Sequence, residues 1–337
     1  MSEQEASEYS VVVEGLVRDF GLGSPVRLAA KKKDLVHAVR GISFHVKRGE
    51  LFGLVGPDGA GKTTTLRMIA GLIDRTAGSV RVVGFDPAGR DSHQVRRVLG
   101  LVPQDHSLYG DLSIAENLAF FGELFGLTPA VFNERRTRLL EITRLSAFTE
   151  RRAEKLSGGM YKKLSVACAL LHQPDVLLLD EPTNGVDPVS RRELWQLLYE
   201  LSGRGMSVVV STPYMDEAVR CHRVALLNEG TILRTGEPNA LARGFDGFVA
   251  EIVGGDRNRL HAALHSFGEG LLASSPAGVR LRVVAENSAR PRLAALAAQE
   301  GAELVSASPD FEDLFLAELE RSRLQHEHAS PTSEHAP

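Results

Sequence analysis

Continuous apolar runs alternate with helix-spaced apolar positions from residue 10 to about residue 242. Leu51-Phe52-Gly53-Leu54-Val55 and Val176-Leu177-Leu178-Leu179 have no polar position, the pattern of strands buried on both faces. Behind the first run, Leu66, Ile69, Ala70 and Ile73 share one helical face. Apolar patterning also predicts strands at Tyr9–Val17, Val36–Val46, Gly78–Val83, Val98–Val102 and Val208–Val210. It predicts helices through 105–155 with a break at Thr128-Pro129, from Ser157 to about Leu171, over Pro188–Leu201 and over Tyr214–Arg220. Strands alternating with helices imply an α/β fold, with a mainly parallel sheet covered on both faces.

From about Phe245 the pattern changes. A strand (Phe248–Val253), a helix (Arg257–Phe267), two strands (Leu271–Ser275, Val279–Val284), a helix (Ala289–Glu300) and a strand (Ala302–Ser306) come in turn. This βαββαβ order predicts a small ferredoxin-like α+β domain over 245–320, closed by an amphipathic helix at Phe311–Leu319. Residues 1–9 and 321–337 read as disordered, and His326, His328 and His335 as part of a polar tail rather than a metal site.

Composition narrows the partners. A net charge of −4 argues against nucleic acid. Cys168 and Cys221 sit in apolar-patterned segments, as buried thiols of a reducing cytosol do. No apolar run is long enough to span a membrane, and the acidic start MSEQEASEYS is unlike a signal peptide. A membrane role therefore needs a separate membrane subunit. Lys31-Lys32-Lys33 reads as a solvated loop, with contact to acidic lipid as the alternative.

The chemistry begins at Gly56-Pro57-Asp58-Gly59-Ala60-Gly61-Lys62-Thr63, with Thr64 next in the chain. This is G-x-x-x-x-G-K-[ST] between a strand and a helix, the phosphate-binding P-loop. Its glycines let backbone N–H groups point at phosphate oxygens, and the helix dipole favours the anion. Lys62 reaches toward the β- and γ-phosphates and Thr63 toward Mg²⁺. The run Val176–Leu179 ends in Asp180, a second Mg²⁺ ligand by position, and Glu181, a candidate base for the attacking water.

Leu156-Ser157-Gly158-Gly159-Met160 makes the resemblance specific. LSGG downstream of a P-loop resembles the signature of ATP-binding cassette (ABC) ATPases, where it caps ATP held by the opposite subunit. The chain is similar to that family over about residues 10–242, with a helical subdomain at about 105–170. The resemblance implies that Gln104 contacts Mg²⁺, helps place water and couples to a membrane subunit. It implies that Asp187 lies at a dimer interface, that Ser157, Gly158 and Gly159 close the partner's site, and that Phe20 stacks on adenine, a core role being the alternative for Phe20. Within the family the chain resembles the ATPase subunits of ABC-2-type exporters, on Asp58 in the P-loop, Met160, Cys168 and Phe311-Glu312-Asp313-Leu314-Phe315-Leu316. This closer resemblance implies an ATP- and Mg²⁺-dependent ATPase. Such a subunit pairs with itself or a related cassette and drives a separate permease from the inner face of the cell membrane to export drugs or lipophilic compounds.

One position departs from the family. Ser211-Thr212-Pro213-Tyr214-Met215-Asp216-Glu217-Ala218 puts Pro213 where the family has its switch histidine. Proline has neither imidazole nor N–H, and His222 is too far along the chain to take its place. Two rival readings arise: a regulatory module that binds ATP but scarcely hydrolyses it, and a soluble ABC ATPase of translation or DNA repair. Glu181 argues against the first. The single cassette and lack of basic charge argue against the second.

Overall fold

The structure, a computed structural model, describes residues 8–21, 35–105 and 107–329. By its contacts the chain divides into two compact units, Met1–Thr235 and Gly236–Pro337. In chain order the first contains β1 (Tyr9–Phe20), β2 (Val36–Lys47), β3 (Leu51–Val55), α1 (Lys62–Ile69), β4 (Ala77–Val82), α2 (Ser92–Val98) and β5 (Leu99–Val102). Next come α3 (Ile114–Leu124), α4 (Pro129–Ile142), α5 (Gly158–Leu170), β6 (Val176–Asp180), α6 (Pro188–Gly203), β7 (Ser207–Thr212), α7 (Met215–Ala218), β8 (Arg223–Asn228) and β9 (Thr231–Gly236).

A six-stranded sheet with order β5-β6-β7-β3-β8-β9 carries the core, and its pairs from β5 through β8 are parallel. Every residue of β3, β6 and β7 is buried, so the all-apolar runs lie where helices cover both faces. The register aligns Val55 with Thr212 and Asp180 with Ser211. The carboxyl ends of three neighbouring strands thus lie side by side, which is where open parallel sheets bind ligands. A second, antiparallel sheet, β2-β1-β4, packs its apolar side onto the same core.

Helix ends obey the local chemistry. Ser113 caps α3 in a reciprocal capping box with Glu116, and Pro129 opens α4 after the break at Thr128. The helix α2 carries no signal in the sequence, because Val95 is its one buried residue and no apolar stripe announces it. β1 runs on to Phe20, which pairs with Val36; most of the 21–35 insertion, with its lysines, lies outside the described residues.

The second unit contains α8 (Pro238–Arg243), β10 (Phe248–Gly254), α9 (Arg257–His265), β11 (Leu271–Ala277), β12 (Arg280–Ala285), α10 (Arg290–Gln299), β13 (Ala302–Ala307) and α11 (Phe311–Ala329). Its antiparallel sheet has the order β11-β12-β10-β13, the ferredoxin-like arrangement expected from βαββαβ. Ala250, Ile252, Leu281 and Val283 pack with Leu260, Leu264 and Leu293 of the helices on one face; Val249 and Val284 meet Ala317 on the other. The disorder expected from residue 321 is corrected: α11 continues to Ala329. Arg321 anchors this stretch through Glu286 (2.9 and 3.0 Å) and the Asp246 carbonyl, and Ser322 is buried. Residues 1–7 and 330–337, His335 among them, lie outside the described residues.

Candidate nucleotide-binding site

The loop from Gly56 to Gly61 is tight because its first and last glycines stand against backbone. A Cβ on Gly56 would sit 2.2 Å from the Leu227 carbonyl oxygen, and one on Gly61 (φ 102°) 2.5 Å from that of Ala38. Lys62 begins α1, and its side chain is 4% exposed. Its Nζ donates to the carbonyl oxygens of Gly56 (2.8 Å) and Pro57 (2.9 Å), with Glu181 Oε1 at 3.7 Å. Burial lowers the Lys62 pKa, and the carboxylates of Glu181, Asp58 and Asp180 oppose that shift.

At the end of β6, Asp180 Oδ1 accepts from Thr63 Oγ1 (3.0 Å) and Ser211 Oγ (2.5 Å). Glu181 has φ 46°, a left-handed conformation that costs energy for a residue with a side chain. Hydrogen bonds from its N–H to the Ser211 hydroxyl (3.0 Å) and carbonyl (3.2 Å) hold it there. Its Oε2 accepts from Gln104 Nε2 at 2.7 Å. Burial pushes the Glu181 pKa up, with Lys62 pulling it down, which moves the carboxylate toward the range of a general base. Thr63, Asp180 and Gln104 together offer oxygen donors suited to a hard cation, and Thr63 and Asp180 already touch, so the donor set fits Mg²⁺.

A cleft of about 340 Å³ is lined by Ala38, residues 58–64, Gln104, Glu181 and Asn184. The fold therefore brings together the P-loop, Gln104 and Glu181, and adds Ala38 and Asn184, for which no sequence signal existed. Ser211 was also missed; only its register opposite Asp180 reveals it. Phe20, Ser157, Gly158, Gly159, Asp187 and Pro213 are not among the lining residues. Phe20 is 37% exposed at the end of β1, under the Arg18 guanidinium. Ser157 caps α5 by accepting from Met160 N (3.3 Å), and Asp187 caps α6 by accepting from Val189 N and Ser190 N.

The signature glycines have a packing reason of their own. A Cβ on Gly158 would meet the Gly185 carbonyl oxygen at 2.8 Å, and one on Gly159 would meet the Ser190 side chain at 2.2 Å. Past β7, the fully buried Glu217 accepts from Thr183 Oγ1 and from Thr212 Oγ1 (2.7 Å), tying the Pro213 segment to the chain after Glu181. His222 is occupied elsewhere: its Nδ1 accepts from Leu51 N at 2.9 Å. That is the far end of β3 from the P-loop, about 15 Å away at roughly 3.3 Å per residue.

A family model described as ABC transporter matches residues 39–184. Nod factor export ATP-binding protein I of Burkholderia pseudomallei is 39% identical over 288 residues, covering 85% of this chain and 93% of that protein. The chain belongs to the ABC transporter ATP-binding proteins. The chain is also 45% identical over 259 residues to the probable multidrug ABC transporter ATP-binding protein YbhF of Escherichia coli, across 75% of this chain but only 44% of YbhF. Among solved structures, cbiO1 from Clostridium perfringens superposes with a TM-score of 0.61 at 26% identity, covering 69% of this chain and 90% of that one. The dimeric cassette MJ0796 shares the fold, with a TM-score of 0.59 at 24% identity, 67% coverage of this chain and 98% of its own. The cassette is thus an ATP-binding ATPase of α/β fold, and a ferredoxin-like unit comes after it. Among the described residues no helix is long and apolar enough to cross a membrane.

Proposed function

We propose that this chain is the ATPase subunit of an ABC-2-type exporter that moves drugs or lipophilic compounds through a separate permease. The observation that carries the reading is the Lys62–Glu181–Gln104 cluster at the mouth of a P-loop, in which the Lys62 and Glu181 side chains are buried 3.7 Å apart and Gln104 donates to Glu181. Lys62 and the loop amides hold the ATP phosphates, and Glu181 takes a proton from the attacking water, which Gln104 helps to orient. Thr63, Asp180 and Gln104 hold Mg²⁺, which when bound neutralises charge developing on the phosphates. Phe20 serves adenine. Ser157, Gly158 and Gly159 cap the ATP of a second cassette, identical or related, with Asp187 at the same interface.

The named relatives support an exporter: YbhF is described for multidrug transport and the other for Nod factor export. The subunit sits at the inner face of the cell membrane, and Tyr109, Phe120 and Leu124, exposed and apolar, favour a surface for docking onto the permease there. The C-terminal unit assists that docking. Pro213 favours a second reading, an ATP-dependent regulatory module with slow turnover.

Reconstitution decides between them. The chain and a candidate multi-span permease are placed together in proteoliposomes loaded with a lipophilic dye. Mg-ATP should drive dye across the membrane, and Glu181→Gln should stop it. Nucleotide binding with no transport and no phosphate release in the wild type would favour the regulatory module.

A further inference from the structure

Most of α5 is buried, and two of its buried residues are lysines. Lys163 has an ion-pair partner, with Nζ 2.8 Å from Glu193 Oε2 and Arg144 on the other oxygen at 2.7 Å. Lys162, 8% exposed, has none among the described residues; its Nζ donates to the neutral carbonyl oxygen of Gln104 at 2.8 Å. The carboxylates of Asp105, Asp180 and Glu181 act on its charge, but burial outweighs them and lowers its pKa, so an ammonium with a single hydrogen bond is a costly way to pack a helix.

Its location accounts for it. The side-chain amide of Gln104 donates to Glu181, so Lys162 holds the backbone of the residue whose other end holds the candidate base. The same region of α5 secures the chain beyond. Tyr161 Oη accepts from Ser107 N (2.9 Å) and Leu108 N (3.0 Å), and Ser107 Oγ donates to Ser165 Oγ (3.2 Å).

We propose that Lys162 is a positioning residue for ATP hydrolysis: it fixes the Gln104 backbone so that the Gln104 amide holds the Glu181 carboxylate in line with the attacking water. The proposal rests on the reading of Glu181 as the base. Lys162 is not among the residues lining the cleft, and it acts through Gln104. Methionine of similar length fills the space but leaves the Gln104 carbonyl without its donor, whereas arginine restores a cationic donor.

The test compares Lys162→Met and Lys162→Arg in the full chain, with Glu181→Gln as control. It measures kcat and KM for Mg-ATP, and hydrogen exchange of the peptide covering residues 104–108 without nucleotide. Lys162→Met should lower kcat about tenfold with KM within about twofold, and speed exchange in that peptide. Lys162→Arg should recover kcat to within about threefold. Wild-type kcat in Lys162→Met, or a joint loss of kcat and ATP affinity that Lys162→Arg does not rescue, would overturn the proposal. If Lys162→Met does not fold, Lys162→Gln takes its place, and an unchanged kcat there overturns the proposal equally. Retained turnover in Glu181→Gln would instead overturn the base assignment, a failure distinct from that of Lys162.

Discussion

In the C-terminal unit the Asp313 side chain is 4% exposed and accepts from Arg282 Nε at 2.8 Å, Arg282 Nη2 at 2.5 Å and Asp310 N at 2.9 Å. In the nucleotide cleft the Lys62 side chain is equally buried, yet it donates to two neutral carbonyls and sees its nearest carboxylate at 3.7 Å. The first arrangement is complete: a planar guanidinium meets a carboxylate in a forked pair, with a backbone donor on the remaining lone pair. The second is incomplete. Burial disfavours the charge on both Lys62 and Glu181, and the surrounding donors and acceptors are too few to compensate. The C-terminal pair holds a fold together. The cleft pair makes room for an anion that brings its own charge. Buried charge marks a site only where its partners do not add up.

Substitutions at these positions test the contrast. Glu181→Gln keeps the shape and the Gln104 contact region while removing the proposed base, and should lower kcat by about 10²–10⁴-fold. ATP binding should survive, so size-exclusion chromatography with Mg-ATP should reveal a dimer that outlasts the wild type's. Lys62→Ala comes next. Losing charge-assisted hydrogen bonds to the phosphates should weaken ATP binding by about a hundredfold, read by equilibrium titration. Its thermal stability without nucleotide should be unchanged or higher, because an under-compensated buried charge is gone. A large fall in melting temperature would make Lys62 a structural residue like Asp313.

Arg282→Met should do the reverse. It leaves Asp313 buried with a single backbone donor, and should destabilise the C-terminal unit by about 2–3 kcal/mol, less than a fully buried pair because Arg282 is 20% exposed. Calorimetry of the full chain should show that transition moving down while the affinity for ATP stays put. The smallest effect is expected of Pro213→His. A side chain able to hydrogen-bond phosphate should raise kcat about tenfold, the worth of one such bond in the transition state. Steady-state turnover at saturating Mg-ATP checks it. An unchanged or lower kcat in a well-folded variant would mean that position 213 does not face the nucleotide, consistent with its absence from the cleft lining.

Much of this protein was legible in one dimension because the decisive features are local. A P-loop needs glycines, a lysine and a threonine in fixed order between a strand and a helix, and Gly56–Thr63 supplies them within one turn of chain. The all-apolar runs of β3 and β6 announced a doubly covered sheet, and the βαββαβ order announced the second domain. The end of α11 was missed because its anchor, Arg321 on Glu286, joins residues far apart in sequence, while the composition after Leu319 is polar.

Tertiary structure alone decided the rest, because it depended on register and close approach. Ser211 holds Asp180 and Glu181 only because β7 pairs with β6 in that register. Lys162 reaches Gln104 only because α5 packs beside the loop after β5. Gly158 and Gly159 read in sequence as an anion-binding helix start, but in three dimensions they also leave room for Gly185 and Ser190. Residue types and short spacings determined which chemistry the chain carries. Which side chains hold that chemistry in place was settled by strand pairing and helix packing, since those contacts join positions that no local pattern links.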